Sequence, residues 1–209
     1  MSAESTFKDM TLNHRQKILE LLSKRQILRA RDLTSKGIPR SYLSRFVEEG
    51  LLFRSGRGVY VAADADATEF QSLAEVSCRV PLGVICLLSA LQVHELTTEM
   101  PYEVWIAISR TARIPRIDYP PIRAVRFSDA AFQFGIEQRT VGGTEIRVYS
   151  AAKSVADCFK YRNKIGIDVA TQALRDCWQR RKAKMDQLWE AAQVCRMSNV
   201  MRPYLESLT

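Results

Sequence analysis

The pattern of apolar residues in the first third of the chain predicts three helices in succession. After Thr11, a residue suited to capping, apolar residues recur every three or four positions for about three turns. A short extended piece at residues 27–28 leads into a second, shorter helix over residues 29–36. Gly37 ends that helix, and Pro39 suits the first turn of a third helix, which reaches about residue 49.

Two short runs rich in β-forming residues follow the third helix. Residues 51–54 and 59–61 flank the glycine-containing turn at residues 55–58, and this pattern predicts a hairpin. The order of helix, helix, tight turn, helix and hairpin is that of a winged helix-turn-helix, in which the last helix reads DNA. We therefore predict a winged helix-turn-helix DNA-binding domain over residues 1–65.

The predicted third helix and hairpin carry the candidate DNA contacts. Polar side chains on the first turns of such a helix reach base edges in the major groove. Long cations on a hairpin reach phosphates or enter the minor groove. The candidate residues are Arg40, Ser41, Ser44 and Arg45 on the helix and Arg54 and Arg57 on the hairpin. A small helical domain used only for protein contacts is the alternative.

The charge of the chain favours a polyanionic partner and points to the same region. The formal net charge is +8, and residues 1–62 carry 12 basic and 6 acidic residues, which is a net charge of +6. This imbalance favours nucleic acid binding by the first third of the chain. A generic basic surface is the alternative explanation.

The rest of the chain predicts a second domain over residues 66–209. An acidic, alanine-rich stretch at residues 62–68 is the candidate boundary. Strands are predicted at residues 103–108, 122–127, 136–141 and 144–149, and helices at residues 67–79, 84–96 and from 150 onward. The expected fold class is α+β: a winged helix-turn-helix, then a domain with a small antiparallel sheet and a helical C-terminus.

The remaining composition argues against several classes of protein. Five cysteines lack C-x-x-C spacing and lie among apolar neighbours, which is typical of reduced core residues in a cytoplasmic protein. The longest apolar run, near residues 84–91, is too short to span a bilayer, and we see no signal peptide. Two histidines without ligand spacing and no glycine-rich phosphate loop lead us to expect no metal, no cofactor and no enzymatic activity.

Several stretches resemble the AbiEi-type antitoxins of type IV toxin–antitoxin systems. The stretches are residues 81–91, 103–107, 147–159, 161–166 and 200–205. With the winged helix, the resemblance covers nearly the whole chain. This chain departs mildly from the family at Ala152 and Ser154, where the family has Pro and Thr variants.

The resemblance implies a regulator with two parts. The winged helix would bind inverted repeats in its own promoter and repress it. The second domain would counter a nucleotidyltransferase-like toxin, without the need for stable contact, in phage defence by abortive infection. The alternatives are a protein that neutralises its toxin by direct contact, or a nuclease or nucleotide-modifying enzyme that uses carboxylates such as Glu103 and Asp157.

Two charged clusters in the second domain are candidates for further function. The candidate antitoxin residues, on a helix opened by Ser150, are Lys153, Asp157, Lys160 and Arg162. Since Lys153 and Asp157 lie four positions apart, an exposed ion pair without a specific function is the alternative. The second cluster consists of Arg110, Arg113, Arg116, Arg123 and Arg126. It would extend the DNA contact, bind a nucleotide, or form an exposed basic loop and sheet edge.

Overall fold

The computed structural model describes residues 3–65 and 70–208, with side chains from residue 13 onward. The chain divides into two compact units. Unit 1 consists of Met1–Arg79 and Thr140–Glu145, and unit 2 consists of Val80–Arg139 and Ile146–Thr209. The domain boundary that we placed after residue 65 stays a prediction.

Unit 1 contains the predicted succession of helices and hairpin. Its elements are α1 (Ala3–Lys24), β1 (Ile27–Arg29), α2 (Ala30–Thr34), α3 (Ser41–Glu48), β2 (Leu52–Gly56), β3 (Val59–Ala62) and α4 (Gln71–Arg79). The strands form an antiparallel sheet in the order β1-β3-β2. One expectation was wrong: Thr11 lies inside α1 and does not begin it. Residues 3–10 contain neither glycine nor proline, so nothing in them stops the helix from extending upstream.

The core of unit 1 holds α3 in a defined orientation. Leu43 and Phe46 of α3 are buried together with Ile18 of α1 and Leu33 of α2. Leu52, the first residue of β2, packs into the same cluster. Because α3 buries one side in this core, its opposite side is presented to solvent.

Unit 2 is built on a mixed sheet with helices packed against it. Its elements are β4 (Val84–Ile85), α5 (Leu87–Val93), β5 (Val104–Ser109), β6 (Ile122–Phe127), α6 (Asp129–Gln133), β7 (Ile136–Val141), β8 (Thr144–Tyr149), α7 (Ala151–Lys160), α8 (Arg162–Ile165), α9 (Ile167–Gln179), α10 (Met185–Val194) and α11 (Ser198–Glu206). The strand order is β6-β5-β4-β8-β7. The α+β fold class, including the helical C-terminus, is confirmed. No helix in residues 3–65 or 70–208 is long and apolar enough to cross a membrane.

The directions of the strands in this sheet differ from our expectation. We predicted antiparallel strands, but β5 and β6 run parallel, as do β4 and β8, and β4 pairs antiparallel with β5. The helix predicted over residues 84–96 is also shorter, since Val84 and Ile85 pair with Ala107 and Ile106 and α5 spans only Leu87–Val93. Pairing partners that are distant in sequence leave no local pattern, so hydrophobic periodicity could not reveal them.

Helix α7 lies at the centre of unit 2. Every residue from Ala151 to Phe159 is buried, and the helix packs against α5, α9 and α10. Ser150 precedes the helix, and its hydroxyl accepts a hydrogen bond from the backbone N–H of Lys153 at 3.3 Å. Because α7 is buried over nearly its whole length, it forms the centre of the helical packing in unit 2.

His94 is a buried histidine of unit 2, and its environment leads us to expect that acid destabilises this unit. Its ring Nε2 lies 2.7 Å from the carbonyl oxygen of Tyr149, and burial lowers the pKa of His94 below its ordinary value of 6.5. As the pH falls below about 6.5, the unfolded chain takes up a proton at this position before the folded chain does. We therefore expect the free energy of unfolding to decrease as the pH falls from about 7 to about 5.5, and His94→Gln to remove that part of the decrease.

The measurement is denaturant unfolding followed by tryptophan fluorescence at the two pH values. The three tryptophans, Trp105, Trp178 and Trp189, all lie in unit 2, so this signal reports on the unit that contains His94. An equal acid-induced loss in the wild type and in His94→Gln would refute the assignment.

Candidate nucleic-acid interface

Helix α3 presents its predicted contact residues to solvent. Tyr42, Leu43 and Phe46 are buried, whereas Ser41 and Ser44 are exposed, as are Arg40 and Arg45. The Arg40 Nε donates a hydrogen bond to Thr34 Oγ1 at 3.2 Å. The Arg45 guanidinium lies 5.5 Å from the centre of the Tyr42 ring. Neither arginine pairs with a carboxylate within the described part of the chain, so both keep an uncompensated positive charge.

The acidic end of α3 is compensated by the first helix. Glu49 follows α3, and its carboxylate forms an ion pair of 2.6 Å with Arg15. The Arg15 guanidinium also lies 5.2 Å from the centre of the Phe46 ring. A carboxylate paired in this way repels a nearby phosphate less than a free one does. This contact joins α1 to α3 and was not predicted.

The two arginines of the hairpin differ in the contacts that their side chains make. Arg54 Nε donates to the carbonyl oxygen of Gly56 at 3.3 Å, so Arg54 lies against the backbone of its own strand. Arg57 is exposed at the tip, directly before Gly58, whose φ of 71° forms the turn. No hydrogen bond or ion pair holds Arg57 among residues 3–65 and 70–208. Arg57 is therefore the hairpin side chain with the greatest reach.

Helix α4 supports the hairpin. The Ser55 hydroxyl donates a hydrogen bond to the carboxylate of Glu75, which is buried. Arg79 donates to the carbonyl oxygen of Ser55 at 3.2 Å and pairs with Glu75 at 3.5 Å. A Cβ on Gly56 would lie 2.9 Å from Arg79 Nε, so a larger residue there would displace the arginine. These contacts link hairpin geometry to residues far along the sequence, which local patterns do not reveal.

The four candidate antitoxin residues do not form one surface. Lys153 and Asp157 are 0% and 1% exposed in their side chains, and Lys153 Nζ lies 2.5 Å from Asp157 Oδ2. Lys160 is exposed at the end of α7. Arg162 is half-buried and donates to the carbonyl oxygen of Phe159 at 2.9 Å. The interpretation of Lys153 and Asp157 as an exposed ion pair was therefore wrong, because the helix that carries them is surrounded by other helices.

Both members of the buried Lys153–Asp157 pair contact further side chains. Lys153 Nζ lies 4.6 Å from the centre of the Phe127 ring and 4.2 Å from that of Tyr149. The other oxygen of Asp157 accepts a hydrogen bond from Cys195 Sγ at 3.2 Å. Burial raises the pKa of Asp157, and the neighbouring Lys153 opposes that rise. The arrangement satisfies two buried charges and makes them a structural element of the core.

The comparison with known families found a match, which lies within the first unit. Residues 16–63 match the AbiEi antitoxin family of transcriptional regulators. The predicted family is thus confirmed on this AbiEi segment, which contains α2, α3 and the hairpin. No curated protein matches the chain.

A solved structure shares the fold of the chain beyond the AbiEi segment. The crystal structure of the Rv2827c protein from Mycobacterium tuberculosis aligns with a TM-score of 0.58 and 14% sequence identity. The alignment covers 94% of this chain and 80% of that one. At this identity, the likeness concerns the fold alone.

Three lysines of the AbiEi segment were not among the candidate contact residues that we predicted from the sequence. Lys17 and Lys24, two turns apart on α1, line a shallow groove together with Lys36, which follows α2. The groove also includes Glu20 and Leu21. The seven-residue spacing of the first two lysines places them on the same side of α1 and was the available signal. They add basic side chains to a unit that is already rich in them.

The AbiEi segment ends before the carboxylates of the enzymatic alternative. Glu103 forms an ion pair of 2.7 Å with Arg123, whereas Asp157 is occupied by Lys153 and Cys195. Within the described residues, no group of three or more His, Cys, Asp or Glu side chains is placed to hold a metal ion. No observation therefore favours the nuclease hypothesis.

Proposed function

We propose that this protein is a DNA-binding transcriptional autorepressor and the antitoxin of a type IV toxin–antitoxin system. The observation that carries the proposal is the exposed polar side of α3 within a segment that matches AbiEi regulators. A helix of this kind fits the major groove, and its exposed side chains are of types that hydrogen-bond to base edges.

In the proposed complex, α3 reads the bases and the hairpin fixes the position. Arg40 and Ser41 at the start of α3, with Ser44 and Arg45 one turn later, face the base edges. Arg57 at the hairpin tip binds a phosphate or enters the minor groove, and Arg54 supports it. Phosphate contacts supply affinity for any sequence, whereas base contacts supply preference.

The proposed site is an inverted repeat in the promoter of its own gene. Two copies of the protein related by a two-fold axis would place two α3 helices about 34 Å apart, one turn of the DNA. Each copy would then read one half-site. Repression follows because the bound protein occupies the promoter.

For the antitoxin role we propose different functions for the exposed and the buried residues of α7 and α8. Lys160 is exposed and Arg162 partly so; both can meet another molecule. Lys153 and Asp157 act from the core by holding α7, and thereby Lys160, in place. The proposed target is a nucleotidyltransferase-like toxin, which the antitoxin opposes without a stable complex.

A titration followed by fluorescence anisotropy tests the repressor function. The labelled probe is the duplex directly upstream of the gene, with scrambled duplex as competitor, at two salt concentrations. We expect specific binding that survives the competitor and weakens steeply as salt rises. Equal, weak binding to both duplexes would contradict the repressor proposal.

Co-expression with a nucleotidyltransferase encoded next to the gene tests the antitoxin function. We expect growth to be rescued, with Lys160→Ala rescuing less well than the wild type. Asn163→Ala, a change at a second exposed position just beyond α7, serves as the matched control. Rescue accompanied by a stable toxin complex would favour direct neutralisation instead.

A further inference from the structure

The residues that join β5 to β6, together with β6 itself, form a strongly basic edge of unit 2. Residues 109–127 contain one acidic residue, Asp118, and no lysine. They contain five arginines, all exposed: Arg110, Arg113, Arg116, Arg123 and Arg126. We call this segment the arginine edge. Arginine is the cation that both binds phosphate with two parallel hydrogen bonds and stacks on planar groups.

The sheet topology distributes these arginines over one edge: Arg123 and Arg126 lie on β6, and the other three lie on the connection that precedes it. β6 is the outer strand of the sheet and runs parallel to β5, with Val104 opposite Ile122 and Ser109 opposite Phe127. The connection at residues 110–121 therefore starts beside one end of β6 and returns to the other. A strand of this length extends about 20 Å, and the connection has to cover that distance to return to the start of β6. The arginines are therefore distributed over the edge and are not gathered at one point.

Four of the five arginines form no ion pair with any residue that the structure describes, and three of these four have no hydrogen-bond partner for the side chain either. Arg123 pairs with Glu103 and lies 4.9 Å from the centre of the Trp105 ring, and Arg126 donates to a backbone carbonyl. Arg110, Arg113 and Arg116 form no ion pair with any residue that the structure describes. Their charges are open to an anionic ligand.

Two exposed tyrosines lie at one end of the same edge. The side chains of Tyr102 and Tyr119 are 90% and 71% exposed. The backbone N–H of Val104 donates to the carbonyl oxygen of Pro121 at 2.9 Å, and each tyrosine lies two residues before one of these partners. Both tyrosines therefore lie just before the paired starts of β5 and β6, which is the end of the sheet at which Arg123 pairs with Trp105. Exposed aromatic rings next to exposed arginines are the combination of side chains that single-stranded nucleic acid binds, because the rings stack on bases and the cations bind phosphates.

We propose that the arginine edge binds a single-stranded stretch of nucleic acid. Tyr102 and Tyr119 stack on unpaired bases, and Arg110, Arg113 and Arg116 bind the phosphates that follow. Stacking on a flat ring needs a base that has left its own stack, which excludes an intact duplex as the ligand. The basic connection at residues 110–121 and the exposed edge of β6 then guide the backbone of the single strand.

Anisotropy titrations of the full-length protein test this proposal. The probes are oligouridylate and oligothymidylate, each of about 10 nucleotides, and the upstream duplex. We expect Tyr102→Ala to lower the affinity for single strands about tenfold, and Tyr102→Phe to leave it unchanged. Arg113→Ala should lower it several-fold and make it less dependent on salt. Since both side chains are exposed, thermal melting should show unchanged folding.

The hairpin variant Arg57→Ala separates this site from the duplex-binding one. We expect it to weaken duplex binding and to leave single-strand binding intact, whereas Tyr102→Ala does the reverse. Equal binding of oligouridylate and oligothymidylate supports the proposal, and so does tighter binding of oligouridylate. Tighter binding of oligouridylate would in addition identify RNA as the ligand. The proposal would be overturned if neither Tyr102→Ala nor Arg113→Ala weakened single-strand binding. It would also be overturned if every variant lost single-strand and duplex binding together.

Discussion

Replacing Lys153 with methionine should lower the free energy of unfolding by about 3–5 kcal/mol. The substitution keeps most of the volume but removes the cation, and so leaves the carboxylate of Asp157 buried with only the Cys195 thiol as partner. It also removes the charge that lies over the Phe127 and Tyr149 rings. An unpaired buried charge costs far more than the loss of an exposed ion pair, which is worth at most about 1 kcal/mol.

Denaturant unfolding followed by tryptophan fluorescence measures this loss, since all three tryptophans lie in unit 2. Lys160→Met is the matched control, because the same change at an exposed position of the same helix should alter stability by less than about 0.5 kcal/mol. The double variant Lys153→Met with Asp157→Leu should recover much of the stability, since neither charge then remains buried. Similar losses for Lys153→Met and Lys160→Met would show that the pair has no structural role.

Replacing Arg40 with alanine should weaken binding to the specific DNA site by about 1–3 kcal/mol, or roughly 5- to 150-fold. The proposed Arg40 contact is to a base, so binding to scrambled duplex should change little. Arg57→Ala should instead weaken binding to both duplexes to a similar extent, and should lower the slope of the salt dependence by about one. Competition titrations at several salt concentrations distinguish the two patterns.

Arg175→Ala is the control for the loss of a positive charge, because Arg175 is an exposed arginine of α9 in unit 2. It should leave duplex binding unchanged. If Arg40→Ala and Arg57→Ala had the same effect on every sequence, α3 would not read bases. If neither variant affected binding, the orientation that we propose for α3 and the hairpin would be wrong.

The parts of the molecule that could be predicted are those with local causes. The amphipathic pattern of α3, Gly37 between α2 and α3, and the turn at Gly58 act over a few residues, and each could be predicted from the sequence. The match of residues 16–63 to AbiEi regulators agrees with that prediction. The contact residues on α3 were predicted from the same periodicity, and the structure places them in solvent.

The burial of Lys153 and Asp157 could not be predicted from local patterns. Their spacing on α7 is the same for an exposed pair and for a buried one, because periodicity relates residues to their own helix. Their environment depends on Phe127, Tyr149 and Cys195, which come from other elements and approach only when the chain packs. The support of the hairpin by Glu75 likewise joins residues that are 20 positions apart.

By itself, then, the sequence determined most of the helices, the hairpin and the side of α3 that faces solvent, because local propensity and hydrophobic periodicity act within one element. The tertiary structure alone decided the parallel strands of unit 2, the burial of the Lys153–Asp157 pair and the placement of Tyr102 and Tyr119 at the same end of the sheet. These features depend on contacts between distant segments, and the energies of such contacts arise only after the chain has brought the segments together.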